Sequence, residues 1–160
     1  MDHQAIVASW LACWSAQDVE MTLLHLHENV VYKVHSTREV LPFGGEQCGQ
    51  EALRDLMFSI LADFDVLLYA PNFITPVADG VRTNVKFNYR HRATGEVLEG
   101  TRRLLIQIRN GLIVRIDGFY DDRMIEAFMR LTKHRIATNE VVRAPELPRG
   151  RAREGSGAGA

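Results

Sequence analysis

The stretch GLIVRIDGFYDD, positions 111–122, sets three carboxylates, Asp117, Asp121 and Asp122, at the end of a strand-like run. A carboxylate in that place can act as a general acid or base, hold an ion pair, or cap a following helix. The preceding Asn110-Gly111 is the residue pair best suited to a tight type I′ hairpin. A two-residue turn there pairs Arg109 with Leu112 and, continuing, Leu104 with Asp117 and Arg102 with Phe119. In that register Arg102 stands diagonal to Asp117 and Asp121 on one face, within reach of a long side chain. Two readings follow. In one, Arg102 and the carboxylates form a tie that holds the end of the sheet, structural ion pairs being far commoner than catalytic ones. In the other, Asp121 is an acid/base at a pocket mouth, aided by Asp117, and Arg102 orients it or a substrate oxyanion. An adjacent arginine depresses a carboxylate pKa, which suits a base only where the substrate proton is already acidic. Asp122 is read as the cap of the last helix.

Other side chains are weighed in the same way. His91 ends the apolar face of its strand, where it either points into a pocket or is a satisfied histidine at a strand end. Tyr32 and His35 fall on opposite faces of their strand, and Tyr32 shares parity with Val30 and Val34, which makes it a buried hydroxyl donor. Trp10 and Trp14 are core or pocket-wall residues. His25-x-His27 does not make a metal pair, because residues two apart on a helix do not face each other and no third ligand is evident. No metal is expected. Cys13 and Cys48 have no neighbour that would mark a nucleophile. The sequence holds no phosphate loop, dinucleotide fingerprint, nucleophile elbow or zinc spacing, so no cofactor is expected. The expected site is therefore Asp121 and Asp117 for chemistry, with Tyr32, His91, Arg102 and Trp14 against the bound molecule.

These residues must be positioned by elements that the periodicities disclose. Val7, Trp10, Leu11 and Trp14 make one helical stripe, and Gln17-Asp18 breaks it and caps a short second helix carrying Val19, Leu23 and Leu24. The β-rich NVVYKVHS follows, then a loop with Pro42, Gly44, Gly45 and Gly49. Leu53, Leu56, Met57, Ile60, Leu61 and Phe64 keep helical spacing in a third helix. Val66–Val77 reads as a strand in which Pro71 implies an edge or a bulge. From Val81 to Arg92 apolar and polar residues alternate, giving a strand with one dry face. Strands over Val97–Arg109 and Leu112–Tyr120 come next, and Met124, Phe128 and Leu131 end the pattern with a helical stripe. Helices followed by an antiparallel sheet make an α+β fold with helices covering one face of a curved sheet.

The chain has 160 residues, 46% hydrophobic and 24% charged, with no apolar run near the roughly 20 residues of a membrane helix, so one soluble domain is expected. A formal net charge of -1 supplies no pull toward nucleic acid or an anionic membrane, and neither is expected as a partner. The one basic run, Arg143 to Arg153, falls in a tail, 144–160, read as disordered because its prolines, glycines and alanines bury too little surface. Domain boundaries are placed at 1–143 and 144–160. Unpaired cysteine spacing and the absence of a signal-like start point to the cytoplasm.

WLACWSAQDVEMTLLHLHENVVYKV, LPFGGEQCGQEALRDLM and RNGLIVRIDGFYDD, in this order, resemble the SnoaL-like, ketosteroid-isomerase-like branch of the nuclear transport factor 2-like superfamily, across about residues 4 to 131. The resemblance implies a cone-shaped, curved antiparallel sheet wrapped around N-terminal helices, the cystatin-like α+β roll, with a pocket between sheet and helices. It also implies a homodimer formed through the outer face of the sheet. It does not imply one reaction, because the fold hosts several chemistries and none. Steroid isomerases place an aspartate base where this chain has Val34. Epoxide-hydrolase members use acids where it has Arg90-His91-Arg92 and Gly118. Polyketide-cyclase members place an acid/base aspartate ten residues after the hairpin glycine, and Asp121 falls at that spacing from Gly111, with Asp117 in place of their usual tryptophan. The expected function is binding of a small hydrophobic molecule in an apolar pocket, as a cofactor-independent isomerase, cyclase or dehydratase using Asp121. The alternatives are a non-catalytic ligand-binding module of the same fold and a scaffold domain partnered with another protein.

Overall fold

The computed structural model describes residues 2–36, 39, 41 and 43–143, with side chains through residue 137. The expected tail, 144–160, lies outside the described residues. The elements in chain order are α1 (His3–Ser15), α2 (Val19–Leu24), β1 (Leu26–Val34), β2 (Gly45–Cys48), α3 (Gln50–Asp63), β3 (Phe64–Val77), β4 (Gly80–His91), β5 (Val97–Arg109), β6 (Leu112–Phe119) and α4 (Asp122–Arg143). The strands form one curved, unclosed sheet in the order β2-β1-β6-β5-β4-β3. No described helix is long and apolar enough to cross a membrane.

The stripe of α1 is buried as its spacing requires, with Ile6, Val7, Trp10, Leu11 and Trp14 turned to the sheet. Asp2 accepts the Gln4 backbone N–H at 3.1 Å and Asp18 accepts that of Met21 at 3.1 Å. Each cap satisfies a donor that the first helical turn leaves without a partner. α3 ends at Asp63, and Phe64, the last residue of the expected stripe, is already extended and opens β3. Its ring reaches the core from the strand instead. In β4 the alternation is realised in full, with Val81, Thr83, Val85, Phe87, Tyr89 and His91 all buried.

Pro71 does what its missing N–H dictates: β3 is one of the sheet's two edge strands, and its pairing with β4 slips between Pro71 and Phe73. Three expectations are corrected. β2 lies inside the segment read as a glycine loop; four half-exposed residues are too few to show a period. The sheet is mixed, because β1 runs parallel to β6, a pairing between segments some eighty residues apart that no local pattern announces. The stripe of α4 runs through Ile125, Phe128 and the buried Thr132, whereas Leu131 is 42% exposed. The helix extends past the apolar stripe, where Arg135 bonds Glu96 at 2.9 Å.

The fourth correction sets the geometry of the site. Asn110 and Gly111 have φ of 51° and 77°, the left-handed pair of the expected turn, and Arg109 faces Leu112 as expected. Ile108 then faces Ile113, but Gln107 faces Arg115, so Val114 is an extra residue in β6. A bulge of one residue carries every later side chain to the opposite face. Leu104 therefore faces Gly118 instead of Asp117, and Asp117 faces Leu105, which is 40% exposed on the outer side.

Candidate functional site

Between the concave sheet face and α1, α3 and α4 lies a cavity of about 70 Å³. That is room for a handful of waters, at roughly 10–15 Å³ of accessible space for each. Its wall is aliphatic and aromatic. Trp10 and Trp14 come from α1, Leu53, Leu56, Met57 and Ile60 from α3, Ile125 and Met129 from α4, and Tyr32, Phe64, Tyr69, Phe87, Tyr89 and Ile116 from the strands. Among the described residues the lining includes no carboxylate and no histidine, and it includes one charged side chain, Arg102.

Arg102 is on the inner face of β5 and is 4% exposed. Its Nη1 donates to the Tyr69 hydroxyl at 3.1 Å and its Nη2 to the Tyr32 hydroxyl at 3.0 Å. The guanidinium carbon lies 4.4 Å from the centre of the Tyr120 ring, a cation–π contact. Space for it comes from Gly118: a Cβ there would stand 2.2 Å from Nη2. The Nε–H is buried and has no hydrogen-bond partner. Burial disfavours the cation, and the upward pull on its pKa comes from tyrosine oxygens that carry negative charge only once their own protons are lost.

The tyrosines do not neutralise that charge. Burial pushes the phenols of Tyr69, Tyr89 and Tyr120 above their usual value, against the opposing pull of Arg102, so they remain protonated at neutral pH. Tyr89 accepts the Trp14 Nε1–H at 2.9 Å and stands parallel to Tyr69 with ring centres 6.2 Å apart. The result is an aromatic cage around one dry cation.

Of the residues singled out in the sequence, Tyr32, Trp14 and Arg102 come together on the cavity. The carboxylates do not. Asp117 accepts from Arg115 at 2.8 and 3.0 Å and lies 2.9 Å from His35 Nε2, on the other face of the sheet. Burial would raise its carboxyl, yet the bonds from Arg115 and His35 hold it below the usual value. Asp121 is exposed and accepts the backbone N–H groups of Arg123 at 3.2 Å and Met124 at 3.4 Å, so it, and not Asp122, caps α4. Asp122 instead takes a hydrogen bond from Ser36. The expected tie of Arg102 to Asp117 or Asp121 is absent among the described residues, for the bulge separates them. His91 is buried beside the cavity wall, with Nδ1 3.0 Å from the Thr94 hydroxyl and its ring centre 5.2 Å from that of Phe64, and it is not part of the lining.

Tyr69, Tyr89 and Tyr120 were missed. The alternation of β4 already placed Tyr89 inward. Tyr120 shares parity with Ile116 and Gly118, a signal usable only once the bulge is known. Tyr69 sits in the proline-interrupted strand, where parity is not a guide.

No protein-family model matches this chain, and no curated protein matches it. Solved structures do. The chain is similar to an NTF2-like protein from Burkholderia thailandensis, with TM-score 0.70 and 17% identity over 81% of this chain and 98% of that one. It is similar to TerC, co-crystallized with polyporic acid, with TM-score 0.68 and 19% identity over 81% of this chain and 95% of that one. A hypothetical protein with a ketosteroid isomerase-like fold from Catenulispora acidiphila, in complex with trimethylamine, matches with TM-score 0.63 and 16% identity over 72% and 84%. The chain has the nuclear transport factor 2-like fold.

Proposed function

We propose that this chain binds a small, mainly apolar molecule in the cavity between the sheet and the helices. The observation that carries the reading is the wall itself, an aliphatic and aromatic surface interrupted by one buried cation. Pockets of that composition hold small molecules by apolar contact and use a few polar groups for orientation. The unbranched side chains of Met57 and Met129 give the wall room to adjust as a ligand larger than a few waters enters. Binding fits better than base catalysis by Asp121 or Asp117, since both carboxylates stand outside the lining. Neighbours of the same fold with a bound small molecule lend the reading support.

A second reading is favoured by one feature. The donors of Arg102 are held in a dry site, the arrangement that stabilises oxyanions during isomerisation, cyclisation or dehydration of carbonyl compounds. In that case Arg102 and the phenols supply charge stabilisation, and the moving proton belongs to the substrate or to water.

Both tryptophans of the chain line the cavity, so intrinsic fluorescence reports on its contents. Titration with a panel of small aromatic and alicyclic molecules should give saturable changes. Those changes should weaken in Leu56→Phe, which fills part of the wall. A panel without binders, or one that binds the filled variant equally well, refutes the proposal.

A further inference from the structure

Three arginines of this protein meet a carboxylate side-on through Nε and Nη2. Arg54 bonds Glu20 at 2.9 and 3.1 Å, Arg90 bonds Asp65 at 3.3 and 2.8 Å, and Arg115 bonds Asp117 at 2.8 and 3.0 Å. All three pairs are at or near the surface, where water already screens them. Arg102 is the arginine for which an anion would matter most, and among the described residues it has none. Its two hydrogen bonds go to hydroxyls, and the Nε–H that completes the side-on fork has no partner. Removing a guanidinium from water costs more than bonds to neutral groups return, unless an anion meets it.

The rest of the cavity limits what that anion can be. It is lined by apolar and aromatic side chains with one positive charge, so a single negative charge balances it and a dianion leaves one charge dry and unpaired. A planar oxygen group matches the fork. Resting on the reading of the cavity as a ligand site, we infer that the ligand is a monoanionic oxygen acid with an apolar body, a carboxylate or the enolate of an acidic enol. Its charged end seats on Arg102 among Tyr32, Tyr69 and Tyr120, and its body lies against Trp10 and Trp14.

The test uses the full chain at pH 7 and calorimetric titration with probes that share a body and differ in the head group. Benzoate, benzamide and benzylammonium form one series; 2-naphthoate, 2-naphthamide and 2-naphthylmethylammonium form a larger one. The carboxylate should bind about tenfold or more tighter than the amide, as a charge-assisted bidentate contact in a dry site requires, and the ammonium should not bind. In Arg102→Met the preference should reverse, with the amide retained and the carboxylate lost. Equal affinity for acid and amide in the unmodified protein, or preference for the ammonium, overturns the inference and leaves the cavity's role as a ligand site standing. Failure of every probe in both series overturns that role as well. Should Arg102→Met not fold, the acid-to-amide ratio in the unmodified protein decides alone.

Discussion

Replacing Arg102 by methionine separates a residue kept for a ligand from one kept for the fold. On the losing side are two hydrogen bonds from a charged donor, to Tyr69 and Tyr32. Each is worth about 1.5–3 kcal/mol net. The contact with the face of Tyr120 adds about 2 kcal/mol if it is fully desolvated. On the gaining side, an unpaired guanidinium need no longer be held out of water, a relief of several kcal/mol after relaxation. A methionine packed against the same wall adds about 1.5–3 kcal/mol. The terms nearly cancel, so the ligand-free variant should lie within about 2 kcal/mol of wild type, on either side of it, by this balance. A guanidinium that served as half of a buried structural ion pair would behave otherwise, since breaking such a pair costs about 3–5 kcal/mol. Urea denaturation followed by circular dichroism measures the difference as a change in midpoint at constant slope. Leu104→Ala is the control, because Leu104 is fully buried on the same strand face and its truncation should cost about 2–5 kcal/mol. A loss above about 3 kcal/mol in Arg102→Met would refute the argument that the cation is uncompensated in the free protein.

Two further outcomes concern the carboxylates that lie outside the cavity. Asp121→Ala should lower stability by about 1 kcal/mol, the usual cost of losing a helix cap, and leave affinity for any cavity ligand unchanged; a variant that keeps its stability but no longer binds would return Asp121 to the site. Asp117 titrates below the ordinary carboxylate value when folded, so its contribution is present above that ordinary value and fades as pH falls through the lowered one. Thermal unfolding followed from pH 7 down to pH 2.5 should therefore show a shallower acid decline in Asp117→Asn below about pH 4, a small effect because the group is partly solvated. Parallel profiles for the two proteins would contradict the assignment.

Much of the scaffold was legible because each element buries one face. The tryptophan stripe of α1, the cap at Asp18, the alternation of β4, the turn at Asn110-Gly111 and the edge character of β3 all follow from local spacing and backbone chemistry. Parity also placed Tyr32 on the inner face, beside Val30 and Val34, and it proved to be a partner of Arg102. His91 was correctly put on the buried face, but the nearness of Thr94 and Phe64, which occupies its ring, depends on how the chain turns back after β4.

What the sequence by itself determined was the type of each surface: an apolar concave face, helices with one stripe to lay upon it, and an arginine and several tyrosines distributed along the strands. Which of these side chains meet was decided only in three dimensions, and largely by one residue. Val114 is an extra member of β6, and nothing in its type marks it as one; a bulge is a property of how two strands pair and bend together. Because side chains alternate with a period of two, that single insertion sends Asp117 outward to Arg115 and His35 and leaves Gly118 opposite Leu104, where its missing side chain admits the guanidinium. The same step that removes the carboxylates from Arg102 surrounds it with phenols, and so leaves a buried charge open to a ligand.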